Sequence, residues 1–152
     1  MAALYRGDRA HAEELAAGAE LDIHEASSLG RVDRVRELLQ TDPTLATSRS
    51  SDGFTVLHYA AFFGTPEAAA ALLEHGADPT AVAENEMRVQ PLHSAAAVEA
   101  TETARLLLDA GADPNARQQG GFRPIDAAVQ SGNDELYALL VARGAEEPAA
   151  AG

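Results

Sequence analysis

The side chains that could do chemistry recur along the chain instead of gathering in one motif. His24, His58, His93 and Asp126 stand at successive spacings of 34, 35 and 33 residues. Imidazole and carboxylate groups ligate metals and transfer protons, so His93 and Asp126 could form a catalytic pair. No serine, cysteine or threonine is placed to act as their nucleophile. The sequence therefore favours a non-enzymatic protein.

Other motifs for cofactor or metal chemistry are missing from the sequence. There are no cysteines, which excludes disulfides, thiolate nucleophiles and cysteine metal sites. Gly120 and Gly121 are followed by Phe122, Arg123 and Pro124, without the lysine of a phosphate-binding loop. No zinc-protease motif and no calcium-binding loop occurs, and the carboxylates are spread as on a solvated face. We expect no cofactor and no metal.

The charge balance limits the kinds of partner. The chain has 11 arginines, no lysine and 24 acidic residues, for a formal net charge of −13. Nucleic acids and anionic membranes bind basic surfaces, so we expect neither as a partner. The acidity has two open interpretations: it keeps the protein soluble, or it also steers a basic partner toward it.

The ends of the chain and its hydropathy indicate the location. The first twenty residues include Arg6, Asp8, Arg9, Glu13 and Glu14, which is unlike the apolar region of a secretory signal. No apolar run approaches the length of a membrane span. We expect a cytoplasmic protein.

The elements that carry the histidines repeat with the same period. Each histidine or aspartate directly follows a large aliphatic residue and stands two residues before an alanine. A glycine follows in three of the four units, and a leucine pair follows in three, with Leu140-Val141 in the fourth. The aliphatic anchors are Ile23, Leu57, Leu92 and Ile125, the alanines are Ala26, Ala60, Ala95 and Ala128, and the glycine positions are Gly30, Gly64, Glu99 and Gly132. Such a period is typical of stacked repeats.

Each unit is predicted to contain two short helices and a turn. In the second unit Thr55 can cap a helix over residues 56–63, and Gly64 can supply a left-handed turn. Thr65, Pro66 and Glu67 form a good start for the second helix, with a capping hydroxyl, a first-turn proline and an acid. Glu99 stands where this turn favours glycine, at a cost of about 1 kcal/mol if its backbone is left-handed.

Three segments carry a family resemblance. G-F-T-V-L-H-Y-A-A (53–61), Q-P-L-H-S-A-A (90–96) and F-R-P-I-D-A-A (122–128) resemble the ankyrin signature T-P-L-H-x-A, and the G-A-D-P endings are also similar to those of ankyrin repeats. The resemblance implies an all-α solenoid of stacked helix-turn-helix units with finger turns. We expect a half-repeat cap at 1–19, four repeats at about 20–49, 50–84, 85–117 and 118–147, and a tail at 148–152.

The resemblance also implies roles. The histidines are expected to bond turn backbone and tie neighbouring units together, because helices about 8–10 Å apart hold them too far apart for one metal. Small bacterial ankyrin proteins are similar modules, so a non-catalytic protein-protein interaction module is expected, as an adaptor or regulatory protein. A small-ligand binder or an enzyme with a site between repeats is the alternative. A monomer is expected, with a homo-oligomer as the other possibility.

The expected binding surface is a concave groove rich in phenylalanine. By the resemblance, it is lined by finger-turn residues and by the ends of the first helices. The predicted partner-binding residues are Phe54, Phe62, Phe63, Met87, Val89, Val98 and Phe122, with Arg88 and Arg123 at the rim. Exposed apolar patches mark interaction sites. The open alternatives are that the phenylalanines fill the core and that the arginines are solvated turn residues.

Overall fold

A computed structural model describes residues 21–148, which form a row of helix pairs. The predicted half-repeat at 1–19 and all but Pro148 of the predicted tail lie outside the described residues. The pairs are α1 (Ile23–Ser28) and α2 (Val32–Thr41), α3 (Val56–Phe62) and α4 (Pro66–Glu74), α5 (Pro91–Ala97) and α6 (Thr101–Asp109), and α7 (Pro124–Ser131) and α8 (Asp134–Ala142).

The helices form two layers, as the predicted all-α solenoid requires. The first helices α1, α3, α5 and α7 pack in sequence, and so do the second helices α2, α4, α6 and α8. Short 3₁₀ helices at Pro43–Thr47 and Gln119–Gly121 lie in the connections. Within residues 21–148 the only extended pairing is one bridge between Arg49 and Thr55. The predicted fold class is therefore confirmed.

The core is thin because alanines separate the two layers. Ala26, Ala60, Ala95 and Ala128 are all fully or almost fully buried, at the same position of each first helix. One leucine of each second helix is also fully buried: Leu39, Leu72, Leu107 and Leu140. Small side chains let neighbouring helices approach closely, and the leucines fill the space between layers. The units thus share one continuous core.

The turns between the paired helices have the backbone that the glycine pattern predicts. Gly30, Gly64 and Gly132 have φ angles of 70°, 64° and 71°. Glu99 takes the same left-handed conformation, with φ 58°. Successive turns stack, because a Cβ atom built on Gly64 would lie 3.8 Å from that of Ala100 in the next unit.

The two predicted helix starts in the second unit differ. The Thr55 hydroxyl accepts the His58 N–H at 3.3 Å, so the predicted cap of α3 is confirmed. The predicted cap of α4 by Thr65 is wrong. Its hydroxyl donates to the carbonyl oxygen of Ser27 at 2.9 Å, and therefore joins the second helix pair to the first.

The residues after the last helix are held to the stack. Asn115 donates to the Gly144 carbonyl and accepts the Glu146 N–H, and the Tyr137 hydroxyl donates to Glu147. Glu146 and Glu147 are therefore bonded to earlier parts of the chain.

Candidate binding surface

Two histidines join consecutive units through their imidazole rings. The Thr55 N–H donates to His58 Nδ1 at 3.1 Å, so the ring proton lies on Nε2, which donates to the Val89 carbonyl at 2.8 Å. His93 repeats this arrangement, with the Gln90 N–H at 3.0 Å and the Ala116 carbonyl at 2.9 Å. Both rings therefore use both nitrogens structurally, as the resemblance implies.

Burial lowers the pKa of both histidines because an imidazolium loses its hydration there. The pKa of His58 falls from 6.5 to about 4. The pKa of His93 is lowered in the same direction, and its hydrogen bonds to backbone oppose the shift. Neither ring is placed as a free base near neutral pH.

His24 does not repeat the arrangement. Its Nε2 is buried and has no hydrogen-bond partner, and its ring contacts Tyr59 edge-on with centroids 5.2 Å apart. The expected bond from His24 to turn backbone through Nε2 is therefore wrong, because an aromatic ring occupies its neighbourhood.

Large apolar side chains are exposed on the ends of the first helices and on the fingers, which are the links that precede each first helix. Among residues 21–148 six such side chains have exposed fractions between 37% and 55%: Phe62, Phe63, Met87, Val98, Phe122 and Val129. Five of these belong to the predicted groove. Burying one such side chain on a partner contributes about 1.5–3 kcal/mol, so these exposed side chains can supply binding free energy to a complex.

Four residues form what we call the apolar strip: Phe62, Phe63, Ala97 and Val98, all exposed. They occupy the fifth and sixth positions after the aliphatic anchors of the second and third units. Helices α3 and α5 pack side by side, and the turns after them stack. The rings of Phe62 and Phe63 meet edge-to-face at 5.3 Å. The strip therefore runs across two units.

An open hollow of about 460 Å³ continues the apolar strip toward the fourth unit. Its walls include Ala97, which belongs to the strip, together with His93, Phe122, Gln130 and Ser131. The hollow thus brings together the finger residue Phe122 and the ends of α5 and α7. This is the juxtaposition on which the predicted groove depends.

Two predicted groove residues lie deeper than the strip. Phe54 is half-buried and packs against His58 and Tyr59, with ring centroids 5.6 and 6.3 Å apart. Val89 is only 4% exposed. The prediction that Val89 faces a partner is wrong, because its carbonyl accepts bonds from Ala83 N–H and His58 Nε2 and the residue is drawn into the stack.

The link before the third unit, residues 81–89, places Met87 and Arg88 at an exposed finger tip. Arg88 has a left-handed backbone with φ 51°. The link docks on the preceding finger, where the Glu84 N–H donates to the Gly53 carbonyl at 2.9 Å. A Cβ atom on Gly53 would come within 2.3 Å of the Glu84 carbonyl oxygen, so only glycine fits this approach.

Most of the finger arginines donate hydrogen bonds to backbone carbonyls within the protein. Arg49 donates to the carbonyls of Gly53 and Val82, and Arg117 donates to that of Gly121. The half-buried Arg123 donates to the Glu146 carbonyl and lies 3.8 Å from Asp126. These contacts hold the finger shapes, so Arg123 is not free to bind a partner as predicted. The Arg88 guanidinium makes no hydrogen bond or ion pair within residues 21–148, and Arg88 stays a predicted rim residue.

The sequence reasoning missed Val129, which is 52% exposed. It is the fourth residue after its anchor, where Ala61 and Ala96 are buried by the following unit. No helix pair covers α7 on that side within residues 21–148. The sequence did carry a signal for this exposed residue, because valine stands where the two preceding units have alanine.

The described part of the chain lacks two other kinds of site. It holds no group of three or more histidine, cysteine or acidic side chains arranged to bind a metal ion. Over the same residues, every helix is too short or too polar to cross a membrane.

Comparison with known proteins identifies the repeats. A family model described as three copies of ankyrin repeats matches residues 1–83, and a model of many ankyrin repeats matches residues 92–141. The human protein called DNA-binding protein RFXANK is 38% identical over 64 residues. The match covers 42% of this chain and 25% of that protein, so the chain corresponds to about a quarter of its relative's length.

Proposed function

Because the chain belongs to the ankyrin-repeat family, whose repeats generally are protein-protein interaction modules, we propose that it is a non-catalytic adaptor or regulatory binding protein. Its partner docks on the apolar strip and the adjoining hollow. The observation that carries this proposal is that Phe62, Phe63, Val98 and Phe122 are exposed, and that Ala97 of the strip shares the wall of the hollow with Phe122.

The energetics are adequate for a specific complex. Each ring buried on a partner contributes about 1.5–3 kcal/mol, and aromatic residues in such positions are favoured hot spots. Association costs several kcal/mol in lost freedom, so two or three of these side chains must be buried together. The edge-to-face contact of Phe62 with Phe63 holds two of them in place before binding.

The relative's name refers to DNA, and we do not extend that to this chain. A net charge of −13 repels phosphates, and three of the finger arginines are bonded to their own backbone. The cytoplasmic and bacterial setting expected from the sequence remains a prediction, as does a monomeric state.

A small-ligand or catalytic site is the weaker candidate. The hollow of about 460 Å³ has the volume of a small-molecule site, but it is open to solvent. The ionisable groups in its wall are His93, whose two ring nitrogens are engaged with backbone, and Arg123, which donates to the Glu146 carbonyl. A ligand would find no free acid or base there among the residues that line it.

The test compares two side chains of equal exposure. Phe62 is 55% exposed on the strip and Val129 is 52% exposed outside it. We expect Phe62→Ser, and more strongly Phe62→Ser with Phe63→Ser, to lose proteins that the wild type captures from a lysate of its native cells. Val129→Ser should retain them. Circular dichroism should show the same helix content in all variants, because neither ring is core. Unchanged capture by the double variant would show that the partner docks elsewhere.

A further inference from the structure

We propose that the segment bound by the apolar strip is a basic amphipathic one, with lysine or arginine side chains beside its apolar face. This inference rests on the proposed function, because it gives the partner's chemistry for the same surface. It is carried by the row of carboxylates at the starts of the second helices, close after the strip residues in the chain.

A row of exposed carboxylates lies at the starts of the second helices. The tenth residue after each anchor is acidic and lies in the first turn of a second helix: Asp33, Glu67, Glu102 and Glu135. Glu67 and Glu102 follow the strip residues Phe63 and Val98 by four positions. Glu99 adds a further exposed carboxylate directly after Val98. The row therefore has the same period as the strip.

These acids stabilise the positive ends of their helices, which explains why an acid suits each position. The carboxylates keep their negative charge, and they remain exposed to solvent. Within residues 21–148 Glu67 and Glu135 make no ion pair, and Glu102 has only Arg105, 3.5 Å away on its own helix. At physiological ionic strength charges act over about 8 Å, so a cation on a docked segment would feel the adjacent carboxylates.

The finger side of the strip carries arginines as well as acids, and the Arg88 guanidinium there makes no hydrogen bond or ion pair within residues 21–148. Arg49, Arg117 and Arg123 donate to the backbone carbonyls of Val82, Gly121 and Glu146, and Arg49 also lies 3.4 Å from the Glu84 carboxylate. The acids Asp52, Glu84 and Glu86 remain exposed on the same fingers. The acids nearest the strip along the chain are those at the starts of α4 and α6. An apolar floor next to these acids is complementary to a segment that has apolar and cationic side chains together.

The probe is a fluorescent peptide of about 18 residues, five helical turns long, with leucine on one face and lysine on the other. Two control peptides replace every lysine by glutamate or every leucine by serine. Fluorescence anisotropy measures their binding to the folded protein. We expect binding of the leucine-lysine peptide alone, and at least about tenfold weaker binding to Phe62→Ser with Phe63→Ser.

A matched pair of variants tests the charge row. Glu67→Gln with Glu102→Gln removes two charges from the row. Glu74→Gln with Asp109→Asn removes two charges from the other ends of the same helices, at exposed positions that pair with Arg36 and Arg143. The net charge of the two variants is equal. We expect the first to weaken peptide binding several-fold and the second to leave it unchanged.

The outcomes separate this inference from the proposed function. Equal weakening by both charge variants, or no binding of the leucine-lysine peptide, overturns the basic chemistry. If the glutamate peptide binds better and still requires Phe62 and Phe63, the strip is a docking site but the partner's charge is wrong. If capture from lysate also ignores Phe62 and Phe63, the proposed function fails as well.

Discussion

Glu99 has a left-handed backbone that its three counterparts reach with glycine. Its φ of 58° matches those of Gly30, Gly64 and Gly132. A side chain in this conformation costs about 1 kcal/mol relative to glycine. The Glu99 carboxylate accepts the Asn133 side-chain N–H at 3.2 Å, an exposed contact that offsets little of the cost. Glutamate therefore occupies a turn whose backbone conformation favours glycine.

We predict that Glu99→Gly is neutral or stabilises the protein by up to about 1 kcal/mol, because the strain is relieved. Gly132→Ala is the matched control. A Cβ there would meet nothing within 4 Å, so its expected loss of about 1 kcal/mol comes from φ alone. Urea unfolding measures both. A clear loss of stability in Glu99→Gly would mean that contacts of the Glu99 side chain outweigh its backbone strain.

Residue burial was the least predictable property. Phe54, Val89 and Phe122 occupy the same position before their anchors, yet they are half-buried, buried and exposed. The difference arises from the fingers, where each link docks on the one before it. Gly53 receives Glu84, and the Met87 carbonyl accepts the Gln119 N–H at 3.0 Å. Such contacts join residues about thirty positions apart, which a local pattern does not encode.

At the scale of elements, the repeat made the helices predictable. Anchor, alanine, glycine and leucine recur in fixed order, so their positions specify two short helices with a left-handed turn. The predicted helix 56–63 is observed as Val56–Phe62. Thr65 shows the limit of this reasoning. A threonine before a proline suits a helix cap, but here Ser27 of the preceding pair offers its hydroxyl a partner.

The histidine links between helix pairs differ in strength, and His93→Ala is expected to lower stability by about 1–2 kcal/mol. It leaves the Ala116 carbonyl and the Gln90 N–H without their ring partners. His24→Ala at the equivalent position should cost less, because His24 Nε2 has no bond to lose. Unfolding midpoints in urea compare the two. Equal losses would argue that ring packing, and not the hydrogen bonds, holds the units together.

At the scale of the whole molecule, one shared core makes the stability of each unit depend on its neighbours. The main contacts between helices join neighbouring units, so the free energy of unfolding is close to a sum of unit and interface contributions. The histidine bonds lie at these interfaces. Their protonation therefore affects the coupling between units, whereas the acidic surface affects overall self-repulsion through its net charge of −13.

We predict that acid weakens the interface held by His58. In the folded protein the pKa of His58 is lowered to about 4 from 6.5. Between these pH values the unfolded chain binds a proton on His58 and the folded chain does not. The contribution is complete above pH 6.5 and is lost as the pH falls toward 4. At pH 5.5 about 1 kcal/mol of it should be gone.

Carboxylates that become neutral as the pH falls also reduce the repulsion between the negative charges of the protein. The effect of His58 must therefore be measured as a difference in stability between two proteins. The free energies of unfolding of wild type and His58→Ala are compared at pH 7.5 and pH 5.5, where most carboxylates stay ionised. Repulsion contributes equally to both proteins and cancels. The advantage of the wild type should shrink by about 1 kcal/mol at the lower pH, because only the wild type loses the contribution of His58. An advantage that stays constant, together with an unshifted His58 titration by NMR, would mean that the buried ring accepts a proton without disturbing the Val89 carbonyl bond.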